Sequence, residues 1–305
     1  MSGPFNKVAV IGLGLLGGSI GLALREHLPQ VATTGFDCDP ATRARAAERQ
    51  LVGEVCASGG AAVAGADLVI FCVPPGAMAT AAADLAGALA PGVVISDVGS
   101  CKVAVAEALG HALPGHVVIP AHPVAGTENS GADAGFASLF RNRWCIITPP
   151  ADADPALVAR LSGLWEAVGA RVELMEAAHH DRVLAITSHL PHLIAYTIVG
   201  TASDLEEVTQ SEVIKYSAGG FRDFTRIAAS DPTMWRDVFL ANKDAVLEML
   251  QRFTEDLTAL QRAIRVEDGD ALFEHFARTR AVRRSIIAEG QDDARPDFGR
   301  GDHLG

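Results

Sequence analysis

A glycine-rich turn near the start of the chain constrains its fold more than any other feature. Residues 8–11 form a short apolar run that leads directly into Gly12, Gly14 and Gly17, which are spaced as GxGxxG. Residues 18–25 then follow the small and apolar pattern of a helix. A strand, a glycine turn and a helix in this order are typical of a dinucleotide-binding unit, in which N–H groups at the helix N-terminus receive the phosphates.

An acidic residue follows the second predicted strand. Residues 31–36 have a strand pattern that ends at Asp37, about 20 residues after Gly17, where a ribose-binding acid is expected. Asp37 and Asp39 would repel a 2′-phosphate, so NAD is predicted rather than NADP. Arg43 and Arg45 could instead hold a phosphate, or lie solvated on a helix face. The predicted cofactor-binding residues are Gly12, Gly14, Leu15, Leu16, Gly17, Asp37, Val73 and Pro74.

Continuous apolar runs extend this pattern into a sheet. Residues 68–73 and 93–96 have the composition of strands that are buried on both faces, as in a parallel sheet. Pro74 and Pro75 end the first of these runs at the edge where ligands bind in open α/β sheets. With further strands at 117–119, 144–148 and 171–175 and a helix at 155–168, the sequence predicts an α/β Rossmann-type domain with a doubly wound, mostly parallel sheet over residues 1–175.

Two polar loops are predicted to leave the sheet on the same side. Residues 97–102 follow one strand and contain Ser100, and residues 121–131 follow another and contain His122. We expect both side chains near the nicotinamide of the cofactor. Ser100 could alternatively be the N-cap of the next helix. His122 precedes a proline in a loop with few apolar neighbours, which makes a purely structural core histidine harder to explain.

The second half, residues 176–305, has the pattern of an all-helical domain. Its first helix, about residues 177–200, contains Ser188, His189 and His192, and Pro191 is expected to kink it. Ser188 and His192 lie four residues apart and therefore on one face. The two histidines could suggest zinc, but no third ligand is nearby, so no metal is predicted. The alternative is that they form hydrogen bonds between helices.

Residues 219–236 concentrate cations, aromatic residues and glycines, which predicts an anion-binding site. Asp231 and Pro232 resemble an N-cap followed by the first helical residue, and a single helix is predicted from there to Phe253. Residues 268–270 separate it from a final helix. Because this long helix carries many apolar residues, we expect it to associate with a second copy in a homodimer, although packing within its own chain is the alternative.

Composition limits the classes of partner. The 305 residues carry a net charge of −12, which argues against nucleic acid as a partner. Five cysteines without CxxC pairing, together with an N-terminus unlike a signal peptide, predict a cytoplasmic protein with reduced thiols. No uninterrupted apolar run is long enough to span a bilayer, so no membrane partner is expected.

Five motifs in order resemble the prephenate and arogenate dehydrogenase family, over nearly the whole chain. They are GLGLLGGS at 12–19, DVGSCK at 97–102, HPVAGTENSG at 122–131, SHLPH at 188–192 and GGFRDFTRIAASDPTMWRD at 219–237. Within the family the chain looks most like bacterial cyclohexadienyl dehydrogenases. The resemblance implies that hydride passes from the ring carbon bearing the hydroxyl to NAD, that carbon dioxide is lost, and that the ring becomes aromatic.

The same resemblance implies roles for individual residues. His122 would take the hydroxyl proton, with Ser100 hydrogen-bonded beside it. Arg226 would bind the ring carboxylate, while Ser188 and His192 would face the ring and its side chain. Other matching positions surround the pocket mouth or the domain interface, namely Thr127, Glu128, Asp223 and Trp235.

Two other functions are compatible with the first half of the chain. A 3-hydroxyacid or imino-acid reductase would share the architecture but would leave His122 and Arg226 without a role. A non-catalytic NAD-sensing dimer would need only the nucleotide site. The motifs leave open whether prephenate or arogenate is preferred. Since no regulatory domain of the ACT type is expected, tyrosine inhibition would have to act at the active site.

Overall fold

A six-stranded parallel sheet lies at the centre of the first part of the chain. The structure is a computed structural model that describes residues 4–127, 129–209 and 219–288, without the side chains of 206–209 and 286–288. The strand order is β3-β2-β1-β4-β5-β6. The strands are β1 (Lys7–Ile11), β2 (Ala32–Phe36), β3 (Glu54–Val55), β4 (Leu68–Phe71), β5 (Val94–Asp97) and β6 (Val117–Val118).

Helices cover both faces of this sheet. Along β1, Val8 and Val10 belong to one apolar cluster, whereas Ala9 and Ile11 belong to another. Alternate residues of a strand point to opposite faces, so a strand buried on both sides must be apolar throughout. The helices of this region are α1 (Leu15–His27), α2 (Pro40–Glu48), α3 (Gly59–Val63), α4 (Met78–Leu85) and α5 (Lys102–Ala112).

A second, three-stranded sheet follows and corrects one expectation. Its strands are β7 (Ala121–Pro123), β8 (Trp144–Ile147) and β9 (Arg171–Leu174), and α6 (Pro155–Ala167) connects the last two. His122, expected in a loop, lies in β7 and pairs with Ile146 in antiparallel register. Three residues ending in proline are too few to show a strand period, and β3 was missed for the same reason.

The elements described between 177 and 288 are all helical. They are α7 (Ala177–Leu184), α8 (Leu190–Thr209), α9 (Gly219–Thr225), α10 (Pro232–Ala241), α11 (Lys243–Arg265) and α12 (Gly269–Ala288). A π-helical segment, Ala185–His189, separates α7 from α8 immediately before Pro191. The helix predicted over about residues 177–200 is therefore interrupted beside Pro191, which has no N–H for the regular helical bond. The predicted kink itself stays a prediction. The predicted fold class is confirmed.

One helix predicted after Asp231 is in fact two. Asp231 caps α10 as predicted, since its Oδ1 accepts a hydrogen bond from the Met234 N–H at 2.8 Å. The helix then ends at Asn242, whose buried Nδ2 donates to the Asp181 carbonyl at 2.8 Å and contacts His189 Nδ1 at 3.1 Å. Apolar periodicity continues through Asn242, so the break depends on hydrogen bonds to distant residues that the local pattern does not contain.

The chain forms two compact units, Met1–Leu247 and Glu248–Gly305. The domain boundary predicted at residue 175 stays a prediction. In the second unit, Asp268 accepts a hydrogen bond from the Ala271 N–H at 3.0 Å and so caps α12. Several large apolar side chains of this unit are exposed in the single chain, namely Leu257, Ile264, Val266, Phe273, Phe276 and Val282.

The helical stretch Ala177–Leu205 could cross a membrane by length and composition alone. However, it contains His180, Asp181 and His189, whose side chains are buried and hydrogen-bonded within the protein. A core helix of a soluble protein passes the same test, so this stretch is weak evidence for a membrane span.

A buried ion pair connects three elements of the first unit. The side chains of Asp97 and Lys102 are fully buried and pair through Oδ2 and Nζ. Lys102 Nζ also donates to the Ala121 carbonyl at 2.7 Å, and the Ala121 N–H donates to Asp97 Oδ1 at 3.2 Å. The pair therefore fixes the end of β5, the start of α5 and the start of β7, which places His122 beside them.

We predict that Lys102→Met destabilises the protein by about 3–5 kcal/mol, because it leaves the Asp97 carboxylate buried without its cation. Denaturant unfolding measures the loss. The double variant Lys102→Met with Asp97→Asn removes both charges and should regain much of that stability. A loss below about 1 kcal/mol for Lys102→Met would show that the pair does not hold these elements together.

Candidate active site

The glycine turn has the geometry that a dinucleotide phosphate requires. Gly12 has φ +97°, and a Cβ there would lie 2.5 Å from the Cys72 carbonyl oxygen. A Cβ on Gly17 would lie 1.9 Å from the Gly12 oxygen, so α1 packs tightly on the turn. Gly14 is the N-cap of α1, and a Cβ there would meet no atom within 4 Å. Backbone atoms therefore pack tightly against Gly12 and Gly17, whereas the space beside Gly14 at the N-terminus of α1 is open. This open space fits a pyrophosphate.

The acidic residue after β2 lies directly beside this turn. Asp37 Oδ2 accepts a hydrogen bond from the Leu13 N–H at 2.9 Å, and Oδ1 accepts one from the Asp39 N–H at 3.0 Å. A carboxylate has about four acceptor positions, so these bonds leave capacity for a ribose diol. Asp39 caps α2 through the Ala41 and Thr42 N–H groups.

The two arginines of α2 are engaged within the protein. Arg43 Nη1 donates to the Asp37 carbonyl at 2.7 Å, and its guanidinium lies 5.3 Å from the centre of the Phe36 ring. Arg45 pairs with Glu48 at 2.8 Å and with Asp133 at 2.7 Å. These contacts favour NAD over NADP, since both arginines already have partners. Leu15 and Leu16 begin α1, and Val73 and Pro74 follow β4 near Gly12.

A chain of hydrogen bonds runs from His122 into the protein interior. His122 is 8% exposed, and its Nδ1 lies 2.9 Å from His180 Nε2. His180 Nδ1 lies 2.8 Å from Asp181 Oδ1. Asp181 in turn accepts the Lys102 N–H through Oδ1 at 2.7 Å and the Val103 N–H through Oδ2 at 3.0 Å. The carboxylate therefore caps α5 from another helix.

Burial favours the neutral form of both histidines in this series of hydrogen bonds, His122 and His180. It lowers the pKa of His122 well below the usual value, with further contributions from the charges of His180, Lys102 and His189. Burial also lowers the pKa of His180, although the Asp181 hydrogen bond opposes this. For Asp181, burial would raise the pKa, but hydrogen bonds from His180 and from two backbone N–H groups outweigh it and lower the pKa. An anionic Asp181 beside two neutral imidazoles follows.

Ser100 does not cap α5. The N-cap is Cys101, which makes no side-chain capping bond, so the alternative structural role for Ser100 is wrong. Among the described residues, the hydrogen bond recorded for the His122 ring is made with His180. The predicted role of Ser100, hydrogen-bonded beside His122, stays a prediction. Ser100 lies near the site by its position, since it precedes Cys101, the N-cap of α5, whose first two N–H groups bind Asp181.

The SHLPH motif forms the adjoining wall. His192 Nδ1 contacts the Ser188 carbonyl at 2.9 Å, and its ring stacks on Trp235 with centroids 3.6 Å apart. His189 is fully buried, contacts Asn242, and has its pKa lowered to about 4 by burial. For His189, the alternative of a hydrogen bond between helices is therefore confirmed, whereas the His192 bond lies within its own helix.

The arginine expected to bind substrate lies close to this wall. Arg226 is exposed at the start of a 3₁₀ turn, Arg226–Ala229, that follows α9. This turn packs against α8. Burial lowers the pKa of His192, a hydrogen bond to the Ser188 backbone opposes this, and the charge of Arg226 lowers the pKa further. Thr127 is exposed and accepts a hydrogen bond from the Asn129 N–H at 3.2 Å. Asp223 contacts Arg222 at 3.4 Å, and Glu128 lies outside the described residues.

Sequence reasoning missed His180, Asp181 and Asn242. The available signal was a histidine followed by an aspartate on the apolar face of a helix that leads into SHLPH. Buried titratable residues of this kind cluster at functional sites.

A nucleotide-type turn, a neutral histidine in a strand beside the parallel sheet, and a helical wall carrying an arginine define an oxidoreductase of the Rossmann class. Two family models match, "Prephenate dehydrogenase, nucleotide-binding domain" over residues 20–174 and "Prephenate dehydrogenase, dimerization domain" over residues 176–278. The chain therefore belongs to the prephenate dehydrogenase family, as the sequence motifs suggested.

Individual members of this family are similar to the chain over most of its length. A cyclohexadienyl dehydrogenase from Zymomonas mobilis is 44% identical over 96% of this chain and 99% of its own. A prephenate dehydrogenase from Bacillus subtilis is 32% identical over 92% of this chain and 76% of its own. The crystal structure of Aquifex aeolicus prephenate dehydrogenase with hydroxyphenyl propionate and NAD+ has a TM-score of 0.85 and 31% identity, covering 92% of this chain and 98% of that one.

We predict that the protein loses stability as the pH falls from about 6.5 to 4. The unfolded histidines take up protons near pH 6.5, whereas His122, His180, His189 and His192 resist protonation when folded. Stability is complete above the unfolded pKa and is lost toward the folded pKa. His189 alone, with a folded pKa of about 4, contributes on the order of 3 kcal/mol to this change.

Denaturant unfolding at pH 7.5 and at pH 5 measures this effect. The variant His189→Asn removes one titrating group and should narrow the difference between the two pH values. An unchanged difference in that variant would contradict the assignment of a buried neutral imidazole to His189.

Proposed function

We propose that the chain is an NAD-dependent dehydrogenase that oxidises and decarboxylates prephenate to 4-hydroxyphenylpyruvate, arogenate to tyrosine, or both. The observation that carries the proposal is the buried His122, whose ring is hydrogen-bonded to His180, which is bonded in turn to the Asp181 carboxylate. A neutral imidazole can accept the proton of a ring hydroxyl, whereas a charged one cannot.

The chemistry divides between the protein and its cofactor. NAD, when bound, accepts the hydride from the ring carbon that carries the hydroxyl. His122 would take the hydroxyl proton, and Ser100 would orient that hydroxyl. The loss of carbon dioxide makes the ring aromatic and drives the reaction forward, so the protein mainly has to position its substrate.

Substrate positioning is proposed for the helical wall. A guanidinium can bind a carboxylate through two parallel hydrogen bonds, so Arg226 suits the ring carboxylate. The packing of its turn against α8 supports a pocket in which Ser188 and His192 face the ring and its side chain. Thr127, in the loop after β7, would lie at the mouth of the pocket.

The relatives have different names, so both prephenate and arogenate are considered as substrates. The relative from Zymomonas mobilis is named a cyclohexadienyl dehydrogenase. A Synechocystis arogenate dehydrogenase has a TM-score of 0.77 and 27% identity, covering 92% of this chain and 99% of that one. Comparing kcat/KM for prephenate and arogenate determines the preference directly.

We also propose a cytoplasmic homodimer formed through the helical region. Residues 176–278 match a family model described as a dimerization domain. Large apolar side chains are exposed on α8 and, separately, in the second unit, as expected for surfaces that a second copy covers. All five cysteines are free, which is compatible with a reducing compartment.

His122→Asn should lower kcat by about 10²–10⁴ while the affinity for NAD stays nearly unchanged, since asparagine cannot act as a base. Steady-state formation of NADH and carbon dioxide, which the wild type should release in equal amounts, measures kcat. NAD titration supplies the control. Unchanged turnover in this variant would instead favour a different base.

Arg226→Ala should raise the KM for prephenate, because the ring carboxylate loses its bidentate partner. Arg226→Lys keeps the charge but not the planar fork, so it should restore only part of the affinity. The neighbouring Arg222→Ala is a matched control with expected wild-type KM. A KM that does not change in Arg226→Ala would refute this binding role.

A further inference from the structure

We propose that His180 and Asp181 are positioning residues that hold His122 in the tautomer whose Nε2 is free to accept a proton. The inference rests on the proposed function of His122 as the base. It extends that function to two residues that contact neither cofactor nor substrate in the proposed scheme.

Asp181 can only accept hydrogen bonds. Its two oxygens receive the Lys102 and Val103 N–H groups, the first two of α5. The positive end of a helix dipole favours the ionised carboxylate at this position. Asn242 Nδ2 donates to the Asp181 carbonyl at 2.8 Å and so fixes the backbone of α7 as well. The carboxylate is therefore held as an anion in one orientation.

The anion determines the tautomer of the first histidine. Because Asp181 Oδ1 is an acceptor, His180 Nδ1 must carry the proton that lies between them at 2.8 Å. A neutral imidazole has one N–H, so His180 Nε2 then has a lone pair. His180 is fully buried, which opposes a second proton on the ring.

The same requirement, that each donor faces an acceptor, determines the tautomer of His122. His180 Nε2 accepts, so His122 Nδ1 must donate across the 2.9 Å between them. The lone pair of the neutral His122 ring is then on Nε2. The opposite tautomer would place two lone pairs face to face in a buried site, which costs the free energy of an unsatisfied polar group.

His122 is anchored from its backbone as well. Ala121, the preceding residue, is bound through its carbonyl by Lys102 Nζ and through its N–H by Asp97. Lys102 thus supports the ring of His122 through Asp181 and its backbone through Ala121. The ring cannot shift without breaking one of these bonds.

This arrangement also fits the charge that the reaction creates. As the substrate O–H bond breaks, an N–H bond forms at His122 Nε2 and the ring becomes an imidazolium, while the hydride electron pair leaves to the cofactor. The imidazolium keeps its Nδ1–H bond to His180, and the Asp181 anion lies behind that ring. When carbon dioxide leaves, the electron pair of its bond to the ring makes the ring aromatic and leaves a phenolate oxygen. The His122 imidazolium can return its proton to that oxygen, which gives the product its hydroxyl and makes His122 neutral again.

Substitutions at His180 separate hydrogen bonding from shape. His180→Phe has a ring but no acceptor, so kcat should fall by about 10–100-fold with the NAD Kd and substrate KM changed less than about threefold. In His180→Gln, the amide oxygen can accept from His122 and the amide nitrogen can donate to Asp181. It should therefore retain kcat within about fivefold of wild type. His179→Gln, at the exposed neighbouring histidine, is the matched control.

Nitrogen-15 NMR of histidine-labelled protein gives a readout independent of activity. His122 Nε2 should show the signal of an unprotonated nitrogen in the wild type and in His180→Gln, and a mixture of tautomers in His180→Phe. The His122→Asn variant assigns the signal. If His180→Phe does not fold, the wild-type spectrum still tests the proposal, because a protonated Nε2 at neutral pH would overturn it.

Two kinetic results would also overturn the proposal. Wild-type kcat in a folded His180→Phe would show that the acceptor is not needed, and an equal loss in Phe and Gln variants would show that ring shape matters instead of the hydrogen bond. If the wild type turns over neither prephenate nor arogenate, the proposed function fails. The NMR result then still decides whether His180 sets the tautomer.

Discussion

The buried pair of Asp97 and Lys102 is the interaction on which the site depends. Two charges inside a sheet are costly unless every donor and acceptor is satisfied, and here they are bonded to the Gly99 N–H and to both backbone groups of Ala121. What the pair provides is a fixed geometry, because it joins the two sheets at Ala121, the residue before His122. Burial raises the pKa of Asp97, and the charge of Lys102 opposes this effect. Lys102 therefore favours the ionised carboxylate, which accepts these hydrogen bonds.

The elements that the sequence predicted well are those with local causes. A buried parallel strand must be apolar along its whole length, so β1, β4 and β5 could be read from composition. The tight turn at Gly12 needs a positive φ, which GxGxxG provides. The start of α10 follows from Asp231 and Pro232, which act within one helical turn. Each of these causes lies within a few residues of its effect.

The parts that were missed depend on contacts between distant residues. His122 and His180 are 58 positions apart, and Asn242 contacts Asp181 across 61 positions. A single sequence has no means of showing that these side chains meet. The family resemblance named His122 and Arg226 but not the residues behind His122, and the pocket residues it named remain proposals. The sequence therefore predicted residues that are proposed to contact the substrate, but not the buried residues that hold His122 in place.

Asp181 combines two functions that usually belong to different residues. It caps α5, which stabilises the fold, and it lies behind the histidine proposed as the base. Selection for stability alone would therefore preserve Asp181 in a descendant that no longer had any activity. Among relatives, the loss of catalysis would be recorded at position 122 or 180, while position 181 would remain unchanged and would give no warning of it.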